Sequence, residues 1–238
     1  AGVQRIHVRS HSGTAIDFKL GPQRSVDMPI QLYELVGRDD RRFSPYCWRT
    51  RLALEHKGLD YETIPVRFSD KDLIAFSGQE RVPVIRDGDT VVSDSWVIAE
   101  YLEDAYPQAP SIFGGETGRG LARFINVWAD RSLNGTLIKL VIADIFDHVD
   151  PEDRDYFIEN RSARFGKPPA QVQTRSEADL KAFSAAVSTI GAALDGQDFL
   201  SGDSPAYGDY IVFGAFAWAR AISDFRLIEA DNPVYAWR

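Results

Sequence analysis

Apolar and polar residues alternate along residues 30–35, which read Ile-Gln-Leu-Tyr-Glu-Leu. A period of two predicts a β-strand with one buried face. Ser44 and Pro45 follow, and they precede residues 48–57, which suit a helix and end at Gly58. Serine is a preferred N-cap and proline a preferred first helical residue, so the helix is predicted to begin at Pro45.

Short elements continue as far as residue 106. The pattern predicts a strand, a weak helix or irregular turn, two hairpin strands and a helix, at residues 61–66, 70–76, 82–85, 90–93 and 96–106. Asp87 and Gly88, between the two hairpin strands, are a strong turn signal. The resulting order βαβαββα predicts an α+β, thioredoxin-like domain over residues 28–106.

The second half of the chain has a helical period. Residues 107–115 contain two prolines and two glycines and are predicted to form a linker. Beyond them, apolar residues recur three and four positions apart, at Leu121, Phe124, Ile125 and Trp128 and again at Leu180, Phe183, Val187, Ile190 and Leu194. This spacing predicts an all-α helical-bundle domain over residues 116–238, with a central helix at 209–221. Residues 150–177 are polar and carry two consecutive prolines, which predicts a surface loop.

Residues 1–27 are polar, mixed in charge and without a clear period. We expect them to be a disordered or non-native extension, with a regulatory or targeting arm as the alternative.

The composition excludes several classes of function. A net charge of −8 argues against a broad nucleic-acid surface, and no apolar run reaches membrane-spanning length. A single cysteine excludes an internal disulfide and fits a reducing compartment. The four histidines have no metal-ligand spacing with that cysteine. We therefore expect a cytoplasmic protein without a metal.

Ser44 is the first candidate for chemistry. Its hydroxyl is placed beside unpaired N–H groups at the positive end of a helix, a position that favours an anion such as a thiolate. Ser-Pro also begins ordinary helices, so this dipeptide alone leaves a purely structural role open. Two features later in the chain favour the functional interpretation of Ser44. Val82 and Pro83 open a strand, where proline gives up a ladder hydrogen bond, and Asp94 and Ser95 cap the next helix.

This ordered set of motifs resembles the glutathione transferase superfamily over residues 28–238. In that family the Val-Pro bond is cis and the valine backbone pairs with the cysteinyl part of glutathione. An acidic-Ser pair holds the γ-glutamyl end, and a Ser, Cys or Tyr near the first helix stabilises the sulfur. The matching positions here are Val82, Pro83, Asp94, Ser95 and Ser44. The resemblance implies a glutathione transferase architecture, glutathione as co-substrate and Ser44 as the catalytic residue.

Within the superfamily the chain looks closest to a bacterial and fungal subgroup that includes the β-etherases of lignin breakdown. The motifs that carry this likeness lie at residues 43–45, 94–102 and 161–166. The chain departs from related transferases at Ala206, where a Ser or Thr completes a capping box with Asp209. That loss should cost about 1 kcal/mol, unless Ser204 or the backbone substitutes for the missing side chain. Relatives also usually carry a further helical segment near the C-terminus, so we expect the second domain to be truncated.

A pocket for the electrophile is expected between the two domains. Phe43 and Tyr46 should line one side, and Phe124 and Trp128 the other. Aromatic residues at helical spacing are also typical of a core, so the second pair has a structural alternative.

Three arginines are candidates for binding carboxylates. Arg81, before the Val-Pro pair, could reach a glutathione carboxylate or could be a solvated loop charge. Arg161 and Arg164 could contact an anionic substrate or glutathione, but a solvated, charge-paired loop is the preferred interpretation.

Cys47 supports a rival, redox interpretation. It occupies the fourth position of a Cys-x-x-Cys-like motif whose first position is Ser44. A resolving cysteine without an attacking one cannot run a dithiol cycle, so Cys47 is expected to be a buried residue of the first helical turn.

The leading hypothesis is a homodimeric transferase in which glutathione thiolate displaces a leaving group from a hydrophobic, aromatic electrophile. In its β-etherase version the thiolate attacks the carbon next to a ketone and expels a phenolate. The alternatives are a non-catalytic protein that binds ligands or partners, and a glutathione-dependent reductase or peroxidase that uses Cys47.

Overall fold

The computed structural model describes the chain from Pro29 to Arg238 and, before it, only the backbone of residues 5–9 and 15–19. Strands β1 (Arg5–Arg9) and β2 (Ala15–Lys19) pair antiparallel. The rest of residues 1–28 lies outside the described residues. The disordered or non-native extension over residues 1–27 therefore stays a prediction.

A four-stranded mixed sheet and two helices form the first half of the chain. The strands are β3 (Ile30–Leu35), β4 (Tyr61–Val66), β5 (Val84–Asp87) and β6 (Thr90–Ser93), in the spatial order β4-β3-β5-β6. β3 pairs parallel with β4, and the other two pairs are antiparallel. The helices are α1 (Pro45–His56) and α2 (Ser95–Ala105). A 3₁₀ helix (Lys71–Ser77) lies where the sequence predicted a weak helix or irregular turn. The thioredoxin-like α+β prediction is confirmed.

The second half is helical. α3 (Glu116–Trp128) continues through one π-helical turn (Ala129–Leu133) into α4 (Asn134–Val141), followed by α5 (Arg154–Phe165), α6 (Pro169–Val172), α7 (Glu177–Ala193), α8 (Tyr207–Ile222) and α9 (Pro233–Trp237). This confirms the all-α prediction. Within residues 29–238, no helix is long and apolar enough to cross a membrane.

The predicted loop over residues 150–177 is wrong, because α5 and α6 lie there. α5 fully buries only Phe157. A helix with a single buried side chain leaves almost no apolar period in the sequence, so its polar composition resembled that of a loop.

Helix α8 packs directly on α1 and joins the two halves. A Cβ atom at Gly214 would come within 2.6 Å of the Pro45 carbonyl oxygen, so only glycine permits this approach. Between α1 and the α3 region, the buried Arg49 donates hydrogen bonds to Asn126 and Asp130, at 2.9 and 2.8 Å. The first turn of α1 is therefore held firmly against the helical half.

Ala206 accepts no side-chain hydrogen bond at the start of α8, as the sequence implied. Half of the capping box nevertheless remains, because the Asp209 carboxylate accepts from the Ala206 N–H at 3.1 Å. The other Asp209 oxygen accepts from the Leu200 N–H at 2.7 Å. Asp209 thus still ties the preceding loop to the helix.

Candidate functional site

A cavity of about 810 Å³ opens between the sheet-containing half and the helical half. Its wall from the first half includes Phe43, Ser44, Tyr46, Arg81, Val82, Pro83, Asp94 and Ser95. These are eight of the ten residues expected at the site, and the tertiary structure brings them to one cavity although they span about 50 positions of the chain. A volume of this size lies within the range of ligand-binding pockets.

Ser44 lies at the N-terminus of α1, as predicted. Its backbone is extended, and its side-chain oxygen accepts a hydrogen bond from the Cys47 N–H at 3.2 Å. The residue is buried but lines the cavity. Because the oxygen accepts from the backbone, the hydroxyl proton is available for donation. A negatively charged acceptor in the cavity would receive both this proton and the field of the helix terminus.

Cys47 is buried, which confirms its interpretation as a core residue of the first turn. The pKa of its thiol is raised to about 12, because burial outweighs a hydrogen bond with the Ser44 side chain and one from the Leu35 N–H. A thiol that stays protonated at neutral pH is a poor nucleophile. The geometry therefore opposes redox chemistry at Cys47.

Val82 and Pro83 are joined by a cis peptide bond, as the resemblance implied. β5 begins only at Val84 and its first paired residue is Val84, so Pro83 stands before the ladder and removes no strand hydrogen bond. Arg81 is exposed at the cavity edge.

Asp94 caps α2 with a positive φ of 75°. One of its carboxylate oxygens accepts from the N–H groups of Trp96 and Val97, at 2.9 and 3.2 Å. Ser95 is buried beside it, and its carbonyl oxygen accepts from the Tyr207 hydroxyl at 2.6 Å. Asp94 thus combines the structural role of a helix cap with a position on the cavity wall.

Tyr46 and Phe43 line the cavity as predicted. The pKa of the Tyr46 hydroxyl is raised, chiefly by burial and by the nearby Asp130, while Arg49 and Arg164 oppose the shift. The hydroxyl therefore stays protonated at neutral pH and can donate a hydrogen bond to a bound ligand.

Phe124 and Trp128 do not line this cavity, so the structure does not bring them together with the other residues expected at the site. Phe124 is 70% exposed on the outer face of α3, and Trp128 is half-buried against the core. The helical period showed that α3 has an apolar face but could not show which surface that face meets.

The opposite wall comes from other residues, most of which sequence reasoning missed. They are Asp130, Asn134, Ile138, Ile142, Ile145, Tyr156, Asn160, Arg161, Ala163, Arg164, Phe165 and Trp218. The isoleucines recur at i, i+4 and i+7, a signal that indicates one helical face without indicating a cavity.

The preferred interpretation of Arg161 and Arg164 as a charge-paired loop is wrong. Both lie on α5 and line the cavity, and no carboxylate within residues 29–238 forms an ion pair with either. The half-buried Arg161 guanidinium lies 5.4 Å from the centre of the Phe68 ring. The pKa of Arg161 is lowered to about 10, chiefly by burial and also by the charges of Arg164 and Arg81.

In the part of the chain that the structure describes, no three His, Cys, Asp or Glu side chains gather as metal ligands do.

Comparison with known proteins gives a consistent result. Residues 43–105 match the family profile described as "Glutathione S-transferase, N-terminal domain", and residues 120–227 match "Glutathione S-transferase, C-terminal domain". Glutathione S-transferase Z2 of Arabidopsis thaliana is 46% identical over 67 residues, which cover 26% of this chain and 30% of that protein. The chain thus matches less than a third of this relative's length.

Solved structures match over a longer part of the chain. Glutathione transferase GSTFuA3 from Phanerochaete chrysosporium superposes with a TM-score of 0.74 and 28% identity, covering 82% of this chain and 85% of its own. A glutathione S-transferase of Ceriporiopsis subvermispora, solved in complex with glutathione, has a TM-score of 0.74 and 24% identity, with 82% and 86% covered. The second likeness concerns the fold alone.

Proposed function

The chain belongs to the glutathione S-transferase superfamily, and on that basis we propose that it transfers glutathione to an electrophilic, aromatic substrate. The observation that carries the proposal is the convergence of Ser44, Val82, Pro83, Asp94 and Ser95 on one cavity. Each has the residue type that the resemblance assigns to the family's glutathione site, and the opposite wall of the same cavity carries apolar and aromatic side chains.

In this proposal glutathione lies along the wall from the first half. The Val82 backbone would pair with its cysteinyl part, and Asp94 and Ser95 would hold the γ-glutamyl end. Arg81, exposed at the cavity edge, is available for its second carboxylate. This orientation directs the sulfur towards Ser44 at the N-terminus of α1.

The reaction needs a thiolate, because a thiol is a weak nucleophile. The Ser44 hydroxyl donates a hydrogen bond to the sulfur, and the helix terminus adds a favourable field, so both lower the thiol pKa. The thiol proton leaves to water. The thiolate then forms a carbon–sulfur bond with the electrophile, and the leaving group departs with the electron pair of its bond to carbon.

We include β-aryl ethers among the candidate substrates, on the motifs at residues 43–45, 94–102 and 161–166. Here the thiolate attacks the carbon next to a ketone, and the leaving group is a phenolate. The cavity lining of Phe43, Tyr46, Tyr156 and Trp218 is compatible with aromatic rings.

The test is Ser44→Ala, assayed for binding of glutathione by calorimetry and for turnover of a chloronitrobenzene and a β-aryl ether. We expect glutathione to bind and kcat/KM to fall about 10-fold to 100-fold, the effect of losing a hydrogen bond to a charged group. Ser188→Ala, on an exposed position of α7, is the matched control and should leave both unchanged.

Three results would count against the proposal. Absence of glutathione binding by the parent protein contradicts it outright. Binding without turnover of any electrophile favours a non-catalytic protein. Loss of turnover in Cys47→Ser with full activity in Ser44→Ala would favour the redox alternative.

We also propose that the chain is a homodimer that associates through α3. Leu121, Phe124 and Val127 present large apolar side chains on one exposed face of this helix. In sedimentation, Phe124→Glu should shift the protein towards monomer. Leu73→Glu, at an exposed apolar residue outside α3, is the control and should not. Equal sedimentation of all three proteins would contradict an interface at α3.

A further inference from the structure

We propose that the electrophile taken by this cavity is an aromatic carboxylate, whose carboxylate is bound by Arg161 and Arg164 of α5. This substrate class rests on the proposed transferase function. It assigns a task to two cationic residues on the helical wall, opposite Ser44 and the expected glutathione site.

The charge balance of the cavity is the first support. Two of the three other basic residues at its wall have carboxylate partners, since Arg67 pairs with Asp70 at 3.1 Å and Lys71 with Glu80 at 3.2 Å; the third, Arg81, is the exposed residue assigned above to glutathione. Within residues 29–238, Arg161 and Arg164 have no such partner. A local excess of positive charge in a chain of net charge −8 therefore faces the cavity.

The cationic groups also repel one another. The charges of Arg164 and Arg81 both act against the protonated form of Arg161, which is already disfavoured by burial. A bound anion relieves this repulsion and supplies the missing counter-charge. Guanidinium groups bind carboxylates through two parallel hydrogen bonds, so the anion that fits this site best is planar and bidentate.

The surroundings of Arg161 favour an aromatic body for that anion. Its guanidinium lies 5.4 Å from the Phe68 ring centre and 5.5 Å from that of Phe157. The Tyr156 ring is 6.2 Å from Phe68, and Phe165 also lines the cavity. A ring that packs on Phe68, Tyr156 and Phe165 at the cavity wall would lie next to the Arg161 guanidinium.

The experiment compares 4-chloro-3-nitrobenzoate with its methyl ester, which differ by one charge. In both, the glutathione thiolate forms a bond to the carbon bearing chlorine, and chloride leaves with the bonding electrons. We expect Arg161→Gln and Arg164→Gln each to lower kcat/KM for the acid about 10-fold to 100-fold and to leave the ester unchanged. Arg161→Lys should keep part of the preference, because it retains charge without the planar fork.

Arg226→Ala is the matched control, because Arg226 pairs with Glu229 at 3.2 Å on an exposed surface. It removes the same charge from the protein outside the cavity and should not alter the preference for the acid. Circular dichroism of each variant verifies folding.

The carboxylate that Arg161 and Arg164 bind could instead belong to glutathione. The same assays distinguish a carboxylate of the electrophile from one of glutathione. If Arg161→Gln raises the KM for glutathione equally with both electrophiles, the arginines bind glutathione and the inference is wrong. An equal fall in kcat/KM for acid and ester would also overturn it.

Direct binding distinguishes failure of this inference from failure of the proposed function. If neither compound is turned over, calorimetry with 4-chloro-3-nitrobenzoate still shows whether Arg161 binds the carboxylate. Binding by the parent protein that is lost in Arg161→Gln supports the carboxylate site without transferase activity. No binding, or equal binding by both, rejects it.

Discussion

The Tyr207 hydroxyl, on α8, donates a 2.6 Å hydrogen bond to the carbonyl oxygen of Ser95, at the start of α2. Both residues are buried, and the Tyr207 ring also packs edge-on against Trp96 and Phe113. A residue of the helical half thereby positions the turn that carries Asp94 and Ser95. The proposed γ-glutamyl site therefore depends on contacts between the two halves.

Tyr207→Phe should lower the free energy of unfolding by about 1 kcal/mol, because it removes one buried hydrogen bond and keeps the ring. Urea unfolding measures this change. Tyr235→Phe, at a residue that is 41% exposed, is the control and should have no effect. Equal stability of the two variants would show that the bond to Ser95 contributes nothing.

Ser44→Ala should also change the pH dependence of turnover. Without the hydroxyl donor the thiol pKa of bound glutathione rises, so the acid limb of the kcat/KM profile moves to higher pH. Above both pKa values the thiolate is fully formed in either protein, and the rates should approach each other. A variant that is slower by the same factor at every pH would assign Ser44 a role other than lowering the thiol pKa.

Cys47 should resist alkylation in the native protein. Its side chain is buried and the pKa of its thiol is about 12, so neither access nor the thiolate form is available at pH 8. Mass spectrometry after treatment with iodoacetamide should show one adduct in urea and none without it. Rapid native labelling would reopen the redox alternative.

The same thiol makes stability depend on pH. Its folded-state pKa is raised from 9.0 to about 12, so the stabilising effect of burying the neutral thiol is complete below pH 9 and is lost as pH rises towards 12. The difference in unfolding free energy between the parent protein and Cys47→Ala should shrink above pH 9, by at most about 1.4 kcal/mol per pH unit. Urea unfolding between pH 7 and 10 measures it, and a constant difference would contradict burial of this thiol.

Asp130→Ala should destabilise the contact between α1 and the helical half by about 3 kcal/mol, because it leaves the buried Arg49 guanidinium without its counter-charge. The Arg49 Nε already has no hydrogen-bond partner within residues 29–238. Adding Arg49→Met to Asp130→Ala should restore part of the loss. Glu229→Ala, which breaks an exposed pair, should cost about 0.5 kcal/mol or less, and urea unfolding compares the three. A loss of that small size in Asp130→Ala would contradict a buried ion pair.

Local signals in the sequence predicted much of the first half. β3 has the predicted bounds of residues 30–35, and Ser44 caps α1 through the N–H of Cys47. A two-residue period and a helix cap depend on neighbours within a few positions, so they can be seen without the fold. The motif order around Pro83 and Ser95 also indicated the site, since the family pairs these residue types.

Local patterns could not predict which residues far apart in the sequence come into contact. Phe124 and Leu137 both belong to apolar stripes of helices, yet the first is 70% exposed and the second is fully buried. The polar sequence around Arg161 resembled a loop because α5 fully buries only Phe157. Which face meets a cavity depends on how helices pack, and a single chain pattern does not contain that geometry.

The sequence by itself therefore determined the fold class and the helix that presents Ser44, because short-range periods and caps specify these features, while the residue types of a glutathione site followed from the resemblance to the family. Only the tertiary structure decided that Phe124 faces outward and that Arg161 and Arg164 face the cavity without a carboxylate partner among the described residues. Burial and charge balance are sums over all the elements packed around a residue, so they exist only once the chain has folded.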